Sequence, residues 1–255
     1  MIVSTTISYG QQNNLIVNHG FAHNDYLHDR PVFDALDNGY VKFEADIFLK
    51  NNKLVVAHWF PYFKGNKTLD SLYLLPLSKI VARRLADSSQ CTPITLLIDI
   101  KSDPNKTYKA LSSLLQKYSN ILSSVENGIF KQREISIIIT GRKPVKLIKE
   151  QLTRYVMIDD NLLDSDNERN ESLYAMSSCK YSKLLNWNGE GRITMKEKAK
   201  LITFVNLAHK QGKKVRLWAS PENKNVWAFL LQCNVDYIHT DKLVELKDFL
   251  FSDTP

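Results

Sequence analysis

Glu44 and Asp46 stand two residues apart in the stretch Val41-Lys42-Phe43-Glu44-Ala45-Asp46-Ile47-Phe48. On a strand, residues two apart point to the same side. Both carboxylates therefore face one way and repel each other unless something positive lies between them. A divalent cation answers that repulsion most simply, and Asp99 supplies a third oxygen from a neighbouring strand. Oxygen-only ligation favours Mg2+ or Ca2+ over Zn2+. Two of the six histidines, His23 and His58, flank the acidic pair in sequence. Two imidazoles beside a metal-bound anion make an acid–base pair for splitting a phosphodiester. One attacks or deprotonates, the other protonates the leaving oxygen, and the metal neutralises the phosphoryl oxygens. Lys101, on the same strand face as Asp99, adds a cation toward that oxyanion. His28, His209 and His239 lack such neighbours, and His209 falls in a helical pattern that puts it on the surface.

The elements that must hold these residues alternate. Strand patterns fall at 15–18, 41–48, 53–58, 94–100, 135–140, 155–159, 183–187, 215–219 and 237–240. Helix patterns fall at 31–38, 69–86, 106–124, 144–153, 194–211, 222–232 and 242–251. Thr194 and Glu197 have the spacing of a capping box, and Gly212 follows the last apolar position of that helix. Asn51-Asn52 offers a two-residue turn for a hairpin. Strands such as Thr95-Leu96-Leu97-Ile98-Asp99-Ile100 are continuously apolar, as parallel strands covered on both faces are. Repeated strand–helix units predict an α/β fold, a single closed (β/α)8 barrel of the TIM type occupying 15–255 after an extension at 1–14. In such a barrel reactive residues sit at the C-terminal ends of strands, which places His19 and His23 after the first strand and His58 after the hairpin. Asp25 or a backbone carbonyl is expected to fix the tautomer of His23. No GxGxxG or GxxxxGK[ST] occurs, against dinucleotide-binding and P-loop folds.

Composition sets the outer bounds. The 255 residues are 44% hydrophobic and 24% charged, which argues against disorder and fibrous repeats. Lys and Arg number 34 against 27 Asp and Glu, a net charge of +7 spread along the chain. A diffuse excess suits an anionic small substrate or an anionic lipid surface, whereas nucleic acid needs a denser stripe. A peripheral membrane contact is thus expected, nucleic acid is not, and no protein partner is evident. Cys91, Cys179 and Cys233 have no CxxC spacing, so zinc and a disulfide framework are both disfavoured. No apolar run approaches the roughly 20 residues of a membrane span. The polar-leaning first dozen residues read as the tail of a trimmed export signal, which points to secretion or the periplasm; otherwise the cytoplasm is expected.

The residues from His19 through His23-Asn24-Asp25-Tyr26 to Pro31, with Glu44-Ala45-Asp46 and Val55-Val56-Ala57-His58, resemble the phospholipase-C-like phosphodiesterase superfamily. That superfamily includes glycerophosphodiester phosphodiesterases and sphingomyelinase D-type phospholipases; the likeness is strongest to an uncharacterised branch with a His-Asn-Asp-Tyr motif. It continues through Leu97-Ile98-Asp99-Ile100-Lys101, Asn186-Trp187-Asn188-Gly189-Glu190-Gly191, Val215-Arg216-Leu217-Trp218-Ala219 and Val235-Asp236-Tyr237-Ile238-His239-Thr240-Asp241. The resemblance implies one Mg2+ or Ca2+ held by Glu44, Asp46 and Asp99, with His23 and His58 as the catalytic pair. It implies that Lys101, Trp218, Asn24 and His19 line the phosphate and substrate side. The usual His-Arg-Gly opening is not intact, since Gly20 follows His19 directly, so His19 is the alternative first histidine and His23 the preferred one. The expected activity is metal-dependent cleavage of a glycerophosphodiester or phospholipid head-group diester. A sphingomyelinase D-like lyase acting on intact lipid and a non-catalytic phosphate- or sugar-binding barrel are the alternatives. Trp59-Phe60-Pro61-Tyr62-Phe63 is either a lipid-facing loop or a lid packed on the barrel mouth.

Overall fold

Continuously apolar strands need cover on both faces, and a ring of parallel strands wrapped in helices supplies it. The computed structural model describes residues 16–59, 67–87, 92–164 and 173–252. In chain order the strands are β1 (Gly20–Ala22), β2 (Lys42–Lys50), β3 (Lys53–Val56), β4 (Ile94–Ile100), β5 (Ser124–Glu126) and β6 (Ile129–Lys131). They continue with β7 (Ile135–Gly141), β8 (Thr153–Arg154), β9 (Met157–Asn161), β10 (Tyr174–Lys180), β11 (Lys214–Trp218) and β12 (Tyr237–Thr240). β1, β2, β4, β7, β9, β10, β11 and β12 form a closed parallel barrel, with β1 pairing to both β12 and β2. The helices are α1 (Phe33–Asp37), α2 (Leu75–Ala86), α3 (Pro104–Leu115), α4 (Val145–Lys149), α5 (Met195–Lys210), α6 (Lys224–Gln232) and α7 (Leu243–Phe251). The expected α/β barrel is thus the observed fold. Between β9 and β10 the described residues carry only the short turn Leu162–Asp164.

Local chemistry explains several elements. Asn51 and Asn52 take φ of 49° and 58°, a left-handed pair that folds β3 back antiparallel on β2. Thr194 accepts from the Glu197 N–H, and its hydroxyl donates to the Glu197 carboxylate, completing the expected cap of α5. Phe21, Leu97, Ile138 and Met176 form a buried apolar cluster of their own. It is distinct from the larger core that includes Phe43, Leu96, Ile98, Tyr108 and Leu111. Cys179 and Cys233 are buried free thiols, and burial pushes Cys179 up to about 12, as suits inert packing residues. Cys91, the 1–14 extension and Leu15 lie outside the described residues.

Three expectations change. The first strand starts at Gly20 and not at 15–18: Val17 is fully buried, but the Gly20 N–H turns back to its carbonyl, and pairing with β12 begins only at Gly20. A Cβ at Gly20 would lie 2.4 Å from the Tyr40 ring, so only glycine permits this approach. The strand expected at 183–187 is instead β10, upstream. Ser177 and Ser178 break its apolar pattern because Ser178 accepts from buried Arg216, while Leu184 and Leu185 pack in the cluster with Leu201 and Val205 of α5. The helices expected at 106–124 and 144–153 end at Leu115 and Lys149, and the chain between them forms β5 and β6 of a small antiparallel sheet with β8.

At the N-terminal end of the barrel, the Asp236 carboxylate accepts from the Val215 N–H, Lys214 Nζ at 2.8 Å and His209 Nε2 at 2.7 Å. Burial alone would raise its pKa, but these donors outweigh it and hold the carboxyl below the usual range. A depressed folded pKa stabilises the fold above the unfolded value, near 4, and that gain disappears as pH falls through the folded value. Asp236→Asn is therefore expected to cost about 1–3 kcal/mol at neutral pH, read as a lower urea midpoint. The gap to wild type should close as pH drops below about 4; a gap constant from pH 7 to 3 would rule this account out.

Candidate active site

Alternation along β2 turns Glu44 and Asp46 to the barrel interior, and register sets Asp46 opposite Asp99 and Asp99 opposite Thr140 on the next strand. Carboxylate oxygens of Glu44, Asp46 and Asp99 all lie within 4.8 Å of one another. Gly141 makes room for them: with φ of +70°, a Cβ there would lie 1.9 Å from Asp99 Oδ1. That oxygen is buried and has no hydrogen-bond partner. Burial, opposed by Lys101 and reinforced by the other acids, raises the pKa of Asp99; burial and the charge of Glu44 raise that of Asp46. Lys101 Nζ sits 2.6 Å from Asp99 Oδ2 and 3.4 Å from Asp46 Oδ2. Asp159, on β9, completes the ring, accepting from Thr140 Oγ1 at 3.0 Å. Ion pairs tie four buried or half-buried carboxylates (Glu44, Asp46, Asp99, Asp159) to two side-chain cations, Lys101 and Arg216, leaving two negative charges within that network, the charge that one divalent cation cancels. All-oxygen donors, an orphaned Asp99 oxygen and this imbalance fit Mg2+ or Ca2+ at Glu44, Asp46 and Asp99.

A second group of possible ligands, His23, Glu44 and His239, also falls within 4.8 Å. It already holds a cation: Arg216 Nη1 is 3.2 Å from both Glu44 Oε2 and His239 Nε2. Burial would raise Glu44, but His239 and Arg216 outweigh it and keep the carboxylate ionised. The carboxylate trio is therefore the better metal site.

The two histidines are held alike. His58 Nδ1 lies 2.9 Å from Asp46 Oδ2, and His23 Nδ1 lies 2.9 Å from Asp241 Oδ1. With Nδ1–H donated to a carboxylate, Nε2 is left on each ring to exchange a proton. Burial opposes the charged form of His23, but Asp241, Glu44 and Asp46 outweigh it and raise its pKa. Tyr26 Oη ties the two halves together, 3.0 Å from Asp46 Oδ2, 2.9 Å from Asn24 Oδ1 and 3.3 Å from His58 Nδ1. Asp25 does not hold His23 as expected. It is fully buried and accepts from the Val32 N–H at 2.8 Å, bracing a residue whose φ of 70° a β-branched side chain rarely adopts. The tether of His23 is Asp241.

A cavity of about 520 Å3 collects His23, His58, Glu44, Asp46, Asp99, Lys101 and Trp218. Two expected residues are not in it. His19 precedes β1, at the opposite end of the barrel, where its Nδ1 lies 3.0 Å from the Asp236 carbonyl. Because β1 begins later than expected, the position that opens into the cavity is His23. Asn24 spends its amide on Asp241, at 3.2 Å, and its carbonyl on Tyr26, so it braces the motif and does not line the cavity. Arg216, His239, Asp241 and Tyr26 were missed. His239 had been set aside, yet its Nε2 lies 2.5 Å from Glu44 and its ring 4.2 Å from that of His23. Parity was the available signal: Arg216 lies two before Trp218, and His239 two before Asp241, on strands already expected.

Residues 11–159 match the family model described as AIM6-like phosphodiesterase domain. Curated relatives carry the name Altered inheritance of mitochondria protein 6. That of Eremothecium gossypii is 25% identical over 89% of this chain and 68% of its own length. That of Kluyveromyces lactis is 25% identical over 93% and 73%, and that of Saccharomyces cerevisiae 26% over 78% and 61%. No solved structure matches the chain significantly.

Proposed function

The chain belongs to the family of AIM6-like phosphodiesterase domains, and on that premise we propose that it hydrolyses a glycerophosphodiester or phospholipid head-group diester, in the manner of the phospholipase-C-like superfamily. The observation that carries this reading is the pair of carboxylate-tethered imidazoles, His23 and His58, lining one cavity with three converging carboxylates. Glu44, Asp46 and Asp99 would hold one Mg2+ or Ca2+, which supplies charge neutralisation for the phosphoryl oxygens. Lys101 adds a cation beside Asp46 and Asp99. Asp46 would be shared between that cation and His58, whose Nδ1 it holds at 2.9 Å, which suits His58 to give a proton from Nε2 to the leaving oxygen. Asp241 lies outside the carboxylate trio and accepts from His23 and the neutral Asn24 amide, which suits His23 to take a proton or attack. Trp218, 40% exposed, offers an apolar wall for the alcohol group. Leu27 at 70% and Trp59 at 69% exposure follow Tyr26 and His58 directly in sequence, exposed apolar side chains that suit a lipid-borne diester. Phe60, Pro61, Tyr62 and Phe63 lie outside the described residues.

A panel of glycerophosphodiesters, bis-nitrophenyl phosphate and phospholipid vesicles, assayed with and without EDTA, tests this. Cleavage of at least one diester is expected, abolished by EDTA and restored by Mg2+ or Ca2+. Undiminished cleavage in EDTA would remove the metal from the reading, and inertness toward the whole panel would remove the activity.

A further inference from the structure

Arg216 is almost fully buried, yet each edge of its guanidinium is used. Nε donates to Ser178 Oγ at 3.2 Å, Nη1 reaches Glu44 Oε2 at 3.2 Å, and Nη2 reaches Asp159 Oδ2 at 3.4 Å. It thus bridges a carboxylate of the candidate metal trio to one outside it. Asp159 is 2% exposed, and its other oxygen, Oδ1, is buried without a hydrogen-bond partner. Its Oδ2 takes Thr140 and Arg216, and Lys143 Nζ donates to its backbone carbonyl; a carboxylate this far from water acts on its neighbours over several ångströms.

We propose that Arg216 and Asp159 are positioning residues that set the affinity of the divalent site with opposite signs, Arg216 weakening it and Asp159 strengthening it. This rests on the metal reading of Glu44, Asp46 and Asp99. Arg216 holds Oε2 of Glu44 and leaves Oε1 for a cation, so it fixes the direction of that ligand. The same positive charge repels the incoming ion. Asp159 offsets that repulsion by neutralising the guanidinium from its far side. Removing Arg216 turns the residual charge of the four carboxylates from two to three negatives, and removing Asp159 turns it from two to one. A site balanced in this way binds its cation without trapping it.

The test is calorimetric titration of Ca2+, and separately Mg2+, into chelator-stripped full-length protein. Asp159→Asn is expected to weaken the dissociation constant about ten-fold, and Arg216→Gln to tighten it by a similar factor. Arg216→Lys, which keeps the charge but not the fork, should not tighten binding. Damage to the fold alone would weaken binding in every variant, so the opposite signs are the diagnostic. Unchanged constants, or shifts in the same direction, would overturn the proposal. If Arg216→Gln does not fold, as judged by cooperative thermal unfolding, Asp159→Asn is compared with Asp159→Glu: weaker binding in the first with near wild-type binding in the second supports the charge account, and equal weakening in both overturns it. A wild-type protein that binds neither ion would overturn the metal reading, and this proposal with it.

Discussion

Asp46→Asn is expected to lose divalent binding and turnover together, with turnover down about 10³-fold or more. The size follows from the number of jobs this carboxylate does. It lies 3% exposed within 4.8 Å of its partners Glu44 and Asp99, accepts from His58 Nδ1 and Tyr26 Oη, and sits 3.4 Å from Lys101. The amide has nearly the same shape, so packing survives while one negative charge and one acceptor are lost. An amide that turns its oxygen to His58 points its NH2 toward the cation, and the reverse orientation leaves His58 untethered. Either choice removes one function, and no orientation serves both. Calorimetry gives the decision: Mg2+ and Ca2+ affinities unchanged in this variant would show that Asp46 is no ligand. Turnover lost with binding intact would reduce its role to holding His58.

Much of this was legible in the amino-acid sequence for a specific reason. The i, i+2 spacing of Glu44 and Asp46 fixes their common face regardless of what surrounds the strand, and Ile94–Ile100 and Tyr237–Thr240 have the bounds expected because both are rich in strand formers, broken only by the inward-facing Asp99 and His239. Position along the barrel was harder. Ile16 and Val17 look like strand residues, but the register with β12 begins at Gly20, three residues after Val17, and that shift decides which of His19 and His23 reaches the cavity. β10 was hidden by the same contact that matters to the site, since Ser178 is polar in order to meet Arg216. Arg216 and His239 were hidden for the complementary reason. A lone cation or imidazole in an apolar strand carries no mark of its partner, and Glu44 is 172 residues away from Arg216.

Replacing the histidines one at a time separates the roles their tethers suggest. His58→Ala is expected to lose roughly 10²–10⁴-fold on an alkyl diester, whose leaving oxygen needs a proton. It should lose far less on a nitrophenyl diester, which departs as a stable anion. His23→Asn should lose a comparable factor on both substrates, because taking a proton or attacking phosphorus is required whatever leaves. His19→Asn serves as the positional control: its imidazole touches the Asp236 carbonyl at the other end of the barrel, so turnover should remain within about two-fold. Equal losses on the two substrates in His58→Ala would take the acid role from His58. A leaving-group dependence confined to His23→Asn would exchange the two assignments, placing the proton donor on the imidazole tied to Asp241 and the acceptor on the one tied to Asp46. Loss of activity in His19→Asn with a fully active His23→Asn would contradict the placement of β1 itself, since only a strand ending at Asn18 could carry His19 to the C-terminal mouth.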